Sequence, residues 1–214
     1  MSTVSIIGAG SWGTSLSILL SNNGHKVRVW SYFQDEADML NRYREHKDKL
    51  PGVKIPESAE FTGSMEECLQ DHDYIVMVVP SQAVRFTARK MAPFITKGEI
   101  IVLCSKGLEE DTGLRLSQVV LQELPDAVPV ALYGPSHAEE VAIGIPTTVV
   151  AASGNEEAAM KVQDLFMSEA FRVYTSSDLI GAEIGSALKN VIALCAGICD
   201  GLGYGDNSKA ALMS

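Results

Sequence analysis

Apolar runs bounded by glycine and polar clusters recur along the 214-residue chain at 4–7, 26–30, 74–79, 100–104, 128–132, 147–151 and 171–174. Several are β-branched and show no polar alternation, which is what a strand covered on both faces requires. Segments of helical period lie between them, near 34–45, 81–91, 113–123, 136–142 and 155–167. Strands alternating with helices predict an α/β fold: a doubly wound parallel sheet with right-handed crossovers. Beyond Ser176-Ser177-Asp178 no strand signal remains. Residues 179–199 read as one long helix, 201–205 as a glycine-rich break, and 207 onward as the start of another helix. Two helices cannot bury their own apolar faces. The expected organisation is therefore a sheet domain over 1–178, followed over 179–214 by the beginning of an all-helical domain that is incomplete in this chain.

The first run enters Gly8-Ala9-Gly10-Ser11-Trp12-Gly13 and continues into the apolar helix pattern Leu16-Ser17-Ile18-Leu19-Leu20. Strand, glycine-rich turn and helix in that order form the Rossmann dinucleotide-binding unit. Gly8 permits the tight turn, Gly10 lets the backbone approach a pyrophosphate, and Gly13 lets the helix pack on the strand. The anion would rest on the free N–H groups and positive dipole of the helix N-terminus. An enzyme strict for NAD places an acid at the end of the second strand to hold the adenosine ribose. Here that position is Ser31, followed by Tyr32 and Phe33. With no carboxylate to repel a 2′-phosphate and no arginine to grip one, the cofactor is NAD or NADP, with a lean to NADP.

Composition narrows the partners. The apolar share of 46% and charged share of 21% are those of a soluble globular protein. A net charge of −10 offers no basic field for nonspecific nucleic-acid binding, so a small anionic ligand must be met by a few placed cations. No signal peptide and no apolar run of bilayer-spanning length is read, so a cytoplasmic location without a membrane span is expected. The four cysteines, Cys68, Cys104, Cys195 and Cys199, form no CxxC pair and no metal-ligand grouping with histidine, and read as buried apolar side chains.

Candidate chemistry falls just beyond strand ends, where open α/β sheets bind ligands. Val79-Pro80-Ser81-Gln82 ends one buried strand. Ser105-Lys106-Gly107 places a cation after the next. Most specific is Gly181-Ala182-Glu183-Ile184-Gly185-Ser186-Ala187-Leu188-Lys189-Asn190, where Lys189 stands in a lane of minimal side chains that includes Ala182, Gly185, Ser186 and Ala193. Such a lane leaves room for a ligand. A desolvated lysine there would serve as proton donor and acceptor, with Asn190 as a further hydrogen-bonding group for the substrate.

Five segments in order resemble the bacterial-type NAD(P)-dependent glycerol-3-phosphate dehydrogenases. They are Gly8-Ala9-Gly10-Ser11-Trp12-Gly13-Thr14, Val79-Pro80-Ser81, Ser105-Lys106-Gly107-Leu108-Glu109, Gly134-Pro135-Ser136-His137-Ala138-Glu139-Glu140 and Lys189-Asn190-Val191-Ile192-Ala193. The resemblance implies dinucleotide contacts from Ser11, Trp12, Lys106 and Ala138. It also implies substrate contacts from Lys106, Gly134, Ser136 and Lys189, with Lys189 as proton acceptor. The implied reaction interconverts sn-glycerol 3-phosphate and dihydroxyacetone phosphate and feeds phospholipid synthesis. The family often carries a basic residue or histidine after the second strand, where this chain has Ser31, Tyr32 and Phe33. Family members continue into a full helical domain that supplies further substrate-binding groups, and a homodimer through that domain is expected. Little turnover is therefore expected from the 214 residues alone. The residues also leave open a related β-hydroxyacid dehydrogenase and a non-catalytic NAD(H)-sensing module.

Overall fold

The computed structural model describes residues 1–213. Strands β1 (Thr3–Ile7), β2 (Lys26–Trp30), β3 (Ala59–Thr62), β4 (Tyr74–Met77), β5 (Ile100–Leu103), β6 (Val128–Tyr133), β7 (Thr147–Ala152) and β8 (Phe171–Ser176) form one sheet. Its order is β3-β2-β1-β4-β5-β6-β7-β8. The helices are α1 (Ser11–Asn22), α2 (Gln34–Tyr43), α3 (Met65–Cys68), α4 (Val84–Met91), α5 (Leu116–Glu123), α6 (Ala138–Ala142), α7 (Glu156–Phe166), α8 (Leu179–Gly201) and α9 (Asp206–Met213).

Successive strand residues point to opposite faces, and each face carries its own core. Val4, Ile6, Val29, Val76, Val102 and Val130 lie in one cluster, whereas Ile7, Ile75, Met77, Ile101 and Leu103 lie in the other. Helix residues Leu16, Leu40 and Val162 cover the first; Val84, Met91 and Val119 cover the second. Burial on both faces is why these strands read as unbroken apolar runs.

Two features differ from the sequence expectation. The edge strand β3 has only four residues, Ala59-Glu60-Phe61-Thr62, with Ala59 and Phe61 buried and Glu60 exposed. An edge strand that short has no continuous apolar run. The sheet is also not wholly parallel: β6 and β7 pair antiparallel, with Tyr133 opposite Val150. A parallel partner for β6 would need a crossover back along the length of the strand, about 20 Å for its six residues. The five-residue α6 spans only about 7.5 Å. The chain instead stays at the carboxyl end of β6, turns through α6 and enters β7 from that end. This keeps Gly134, Ser136 and Ala138 together above the sheet. Gly134 is held so close to β7 that a Cβ there would lie 2.5 Å from the Thr148 carbonyl oxygen.

The expectation that no apolar run reaches bilayer-spanning length is corrected: α8 is long and apolar enough to cross a membrane by length and composition. Its first turns are nevertheless docked on protein. Leu179 and Ala182 pack against Ala131, Tyr133 and Ala152, and Glu183 is the buried residue of the helix. Beyond that point the apolar side chains Leu188, Val191, Ile192, Leu194 and Ile198 are exposed. Cys68 and Cys104 are buried as expected, and burial pushes both thiols up to about 12. Cys195 and Cys199, on the open stretch of α8, are only half-buried.

Candidate active site

The carboxyl ends of β1, β2, β4 and β5 open into a cavity of about 820 Å³. The glycine loop forms its floor. Gly8 adopts φ +123°, and a Cβ there would come within 2.8 Å of the Val78 carbonyl oxygen. A Cβ on Gly13 would lie 1.9 Å from the Gly8 carbonyl oxygen, so turn and helix are packed backbone to backbone. Gly10 faces open space, where a Cβ would have no neighbouring atom within 4 Å. It is also the N-cap of α1 and provides no side-chain cap. The first N–H groups of the helix are thus left for an anion, in a cradle that a side chain at 10 would narrow.

Ser11, Trp12, Lys106, Ser136, Ala138 and Lys189 line this cavity together with Gly8, Gly10 and Gly13. Ser15 ties the cap of the site to its floor, donating to the Ala138 carbonyl oxygen at 2.8 Å. A second cavity of about 510 Å³ lies beside the first, walled by Gly134, Tyr133, Ala182, Gly185, Ser186, Lys106 and Lys189. Ala182, Gly185 and Ser186 of the small-residue lane on α8 are therefore cavity wall, whereas Ala193, two turns further along, borders neither cavity. Lys106 and Lys189 belong to both cavities and stand where they adjoin.

The two lysines differ in setting. Lys106 Nζ donates to the Gly134 carbonyl oxygen at 3.2 Å. Burial, joined by the charge of Lys189, holds its pKa below the usual lysine value. Lys189 is exposed, and its ammonium donates to Asn190 Oδ1 at 2.9 Å. The desolvated lysine expected at 189 is thus found at 106. Asn190 borders neither cavity, and its carbonyl oxygen accepts from Lys189. Ser31 is fully buried, and its hydroxyl donates to Glu36 Oε2 at 2.5 Å instead of facing the cavity. Glu36 and Lys49 line the cavity in its place.

The sequence reading also passed over the acid that anchors α8 to the sheet domain. Glu183, 2% exposed, accepts from the Ser117 backbone N–H at 2.8 Å, from Ser117 Oγ at 2.6 Å and from Arg115 Nη1 at 2.5 Å. This clasp joins α8 to the start of α5, six residues before Lys189. The one available signal was a lone acid among the small and apolar residues of the α8 segment.

The sequence matches the family model described as NAD-dependent glycerol-3-phosphate dehydrogenase N-terminus over residues 3–159, and that of the C-terminus over residues 178–214. The chain belongs to the NAD-dependent glycerol-3-phosphate dehydrogenase family. It is 56% identical, over its whole length, to 64% of a glycerol-3-phosphate dehydrogenase (NAD(P)+) from Agathobacter rectalis. It is 51% identical to 63% of the protein of the same name from Bacillus subtilis. Among solved structures, a glycerol-3-phosphate dehydrogenase from Coxiella burnetii superposes with a TM-score of 0.90 at 36% identity, over 99% of this chain and 65% of that one. The chain thus spans about 64% of the length of the family member from Agathobacter rectalis. The C-terminal family match takes in α8 and α9, the part of the chain whose apolar side chains are most exposed.

Proposed function

We propose that this chain carries the dinucleotide site and the catalytic lysine of an NAD(P)-dependent dehydrogenase that interconverts sn-glycerol 3-phosphate and dihydroxyacetone phosphate. The observation that carries this reading is the position of Lys106 and Lys189 in the walls of both cavities, one floored by the glycine loop and the other walled by Gly134 and the small residues of α8. Residues 1–178 would hold the cofactor, and 179–214 would begin the helical substrate domain. The separate N- and C-terminal family models, which match residues 3–159 and 178–214, divide the chain at the same place.

The glycine loop and the uncapped N-terminus of α1 would hold the pyrophosphate, with Ser11, Trp12 and Ala138 against the cofactor. A bound nicotinamide would supply hydride chemistry at the C2 carbon of the substrate. Lys189 then moves the proton at the C2 oxygen, giving it as the ketone is reduced and taking it as the alcohol is oxidised. Lys106 adds positive charge beside that oxygen and the substrate phosphate. Its lowered pKa rises again when an anion arrives. Gly134 and Ser136 would border the substrate, and Asn190 would hold Lys189 in position. We place the reaction in the cytoplasm, where it would feed phospholipid synthesis. Homodimerisation through the helical region would cover the apolar face of α8.

The test uses the protein extended to the length of its family members. Dihydroxyacetone-phosphate-dependent loss of reduced-nicotinamide absorbance is expected with wild type and not with Lys189→Ala. Silence of a folded wild-type sample with both NADH and NADPH would turn the reading toward a β-hydroxyacid dehydrogenase or a nucleotide sensor.

A further inference from the structure

The end of the main cavity nearest β2 holds an ion pair that the motifs did not indicate. Lys49 Nζ donates to Glu36 Oε1 at 2.5 Å, and both residues line the cavity beside Tyr32 and Phe33. In a Rossmann unit the adenosine ribose lies at the end of the second strand. The pair therefore stands where the 2′ substituent of the cofactor must be read, in place of an acid at position 31.

The two partners are held unequally. Glu36 sits on the first turn of α2, and its carboxylate is fixed from behind by Ser31 Oγ at 2.5 Å. His46, 1% exposed, closes the inner side with Nε2 3.3 Å from Glu36 Oε1, a contact without hydrogen-bond geometry. Burial, aided by the charge of Lys49, lowers the pKa of His46 and so disfavours an imidazolium beside the pair. Burial alone would raise the pKa of Glu36, but hydrogen bonds from Lys49 and Ser31 outweigh it and keep the carboxylate ionised. The Lys49 side chain, by contrast, is 48% exposed against 18% for Glu36. The carboxylate is the fixed partner and the ammonium the movable one.

We propose that the Glu36–Lys49 pair reads the 2′ position of the adenosine ribose, Glu36 accepting from a free 2′-hydroxyl and Lys49 leaving Glu36 to pair with a 2′-phosphate. As an ion pair it presents little net charge to either ligand. Exchange of one ammonium between a carboxylate and a phosphate would let a single cavity take both NAD and NADP without the basic residue after β2. This rests on the dinucleotide reading given under Proposed function.

The test is direct cofactor binding, read by energy transfer to NADH and NADPH from Trp12 and Trp30, which both line the cavity. Lys49→Met is expected to weaken NADPH about tenfold or more, the scale of one charge-assisted contact, and to leave NADH within about threefold. Glu36→Gln is expected to move the ratio the other way, weakening NADH and tightening NADPH. NADH affinity serves as the folding control for the first variant, and a thermal melt for the second. An unchanged NADH-to-NADPH affinity ratio in both variants would overturn the proposal, as would an equal loss of both cofactors in a variant with an unaltered melt. Failure of wild type to bind either cofactor would instead overturn the dinucleotide reading itself.

Discussion

Glu183 on α8 accepts a hydrogen bond from the Ser117 backbone N–H at 2.8 Å and from its hydroxyl at 2.6 Å, so a single buried carboxylate joins the helix that carries Lys189 to the sheet domain. Arg115 supplies the balancing charge. Removing the acid leaves the buried Ser117 N–H without its acceptor and Arg115 without its counter-charge. Glu183→Ala is expected to cost about 2–4 kcal/mol in urea or thermal unfolding, and Glu183→Gln less, because the amide still accepts from Ser117. A change under about 0.5 kcal/mol in Glu183→Ala would mean that the clasp does not hold α8.

The glycine loop separates folding from binding at neighbouring positions. Gly13→Ala drives a Cβ into the Gly8 carbonyl oxygen, whereas Gly10→Ala meets no atom within 4 Å. The first is expected to destabilise by about 3 kcal/mol, the upper range of overpacking. The second should leave the melting temperature unchanged while weakening NADH binding, since its methyl enters the space meant for pyrophosphate. Equal melts for the two variants would contradict this division.

Lys106 is held below the usual lysine pKa by burial and by Lys189. The folded state then binds this proton less readily than the unfolded chain does. Below the lowered pKa the lysine is charged in both states and the full penalty applies. Above the ordinary lysine value of 10.5 it is neutral in both, and the penalty is gone. Lys106→Met is therefore expected to melt higher than wild type at neutral pH, with the difference shrinking as pH rises toward 10.5. A melt lower than wild type at pH 7 would show that the Gly134 contact outweighs burial.

In the protein extended to family length, Lys189→Ala should lose about 10²–10⁴-fold in turnover, the range for one general acid–base group. Its NADH affinity should stay close to wild type, because the glycine loop is untouched. Loss of cofactor binding together with turnover would assign Lys189 to the dinucleotide instead.

The legible parts of this protein are those whose signal is local. β1, β4 and β5 appear as apolar runs because both faces of each strand are covered, and the Gly8–Gly13 turn is legible because its strand, turn and helix are contiguous. Lys106 and Lys189 stood out as cations beside apolar segments, and the structure brings them together in the walls of two cavities. The Ser31 side chain lies away from the cavity for a physical reason. Its place at the end of β2 was correct, but its hydroxyl turns inward to Glu36, and that direction depends on a helix five residues further on.

The amino-acid sequence by itself determined the strand and helix alternation, the dinucleotide turn and the family, since these depend on residues close together along the chain. Only the tertiary structure decided the antiparallel entry of β7, the Glu183 clasp and the Glu36–Lys49 pair. Each of these joins segments that carry no mutual signal in one sequence. Pairing direction follows from whether a connection can cross the sheet, and buried charges find their partners only when distant elements pack.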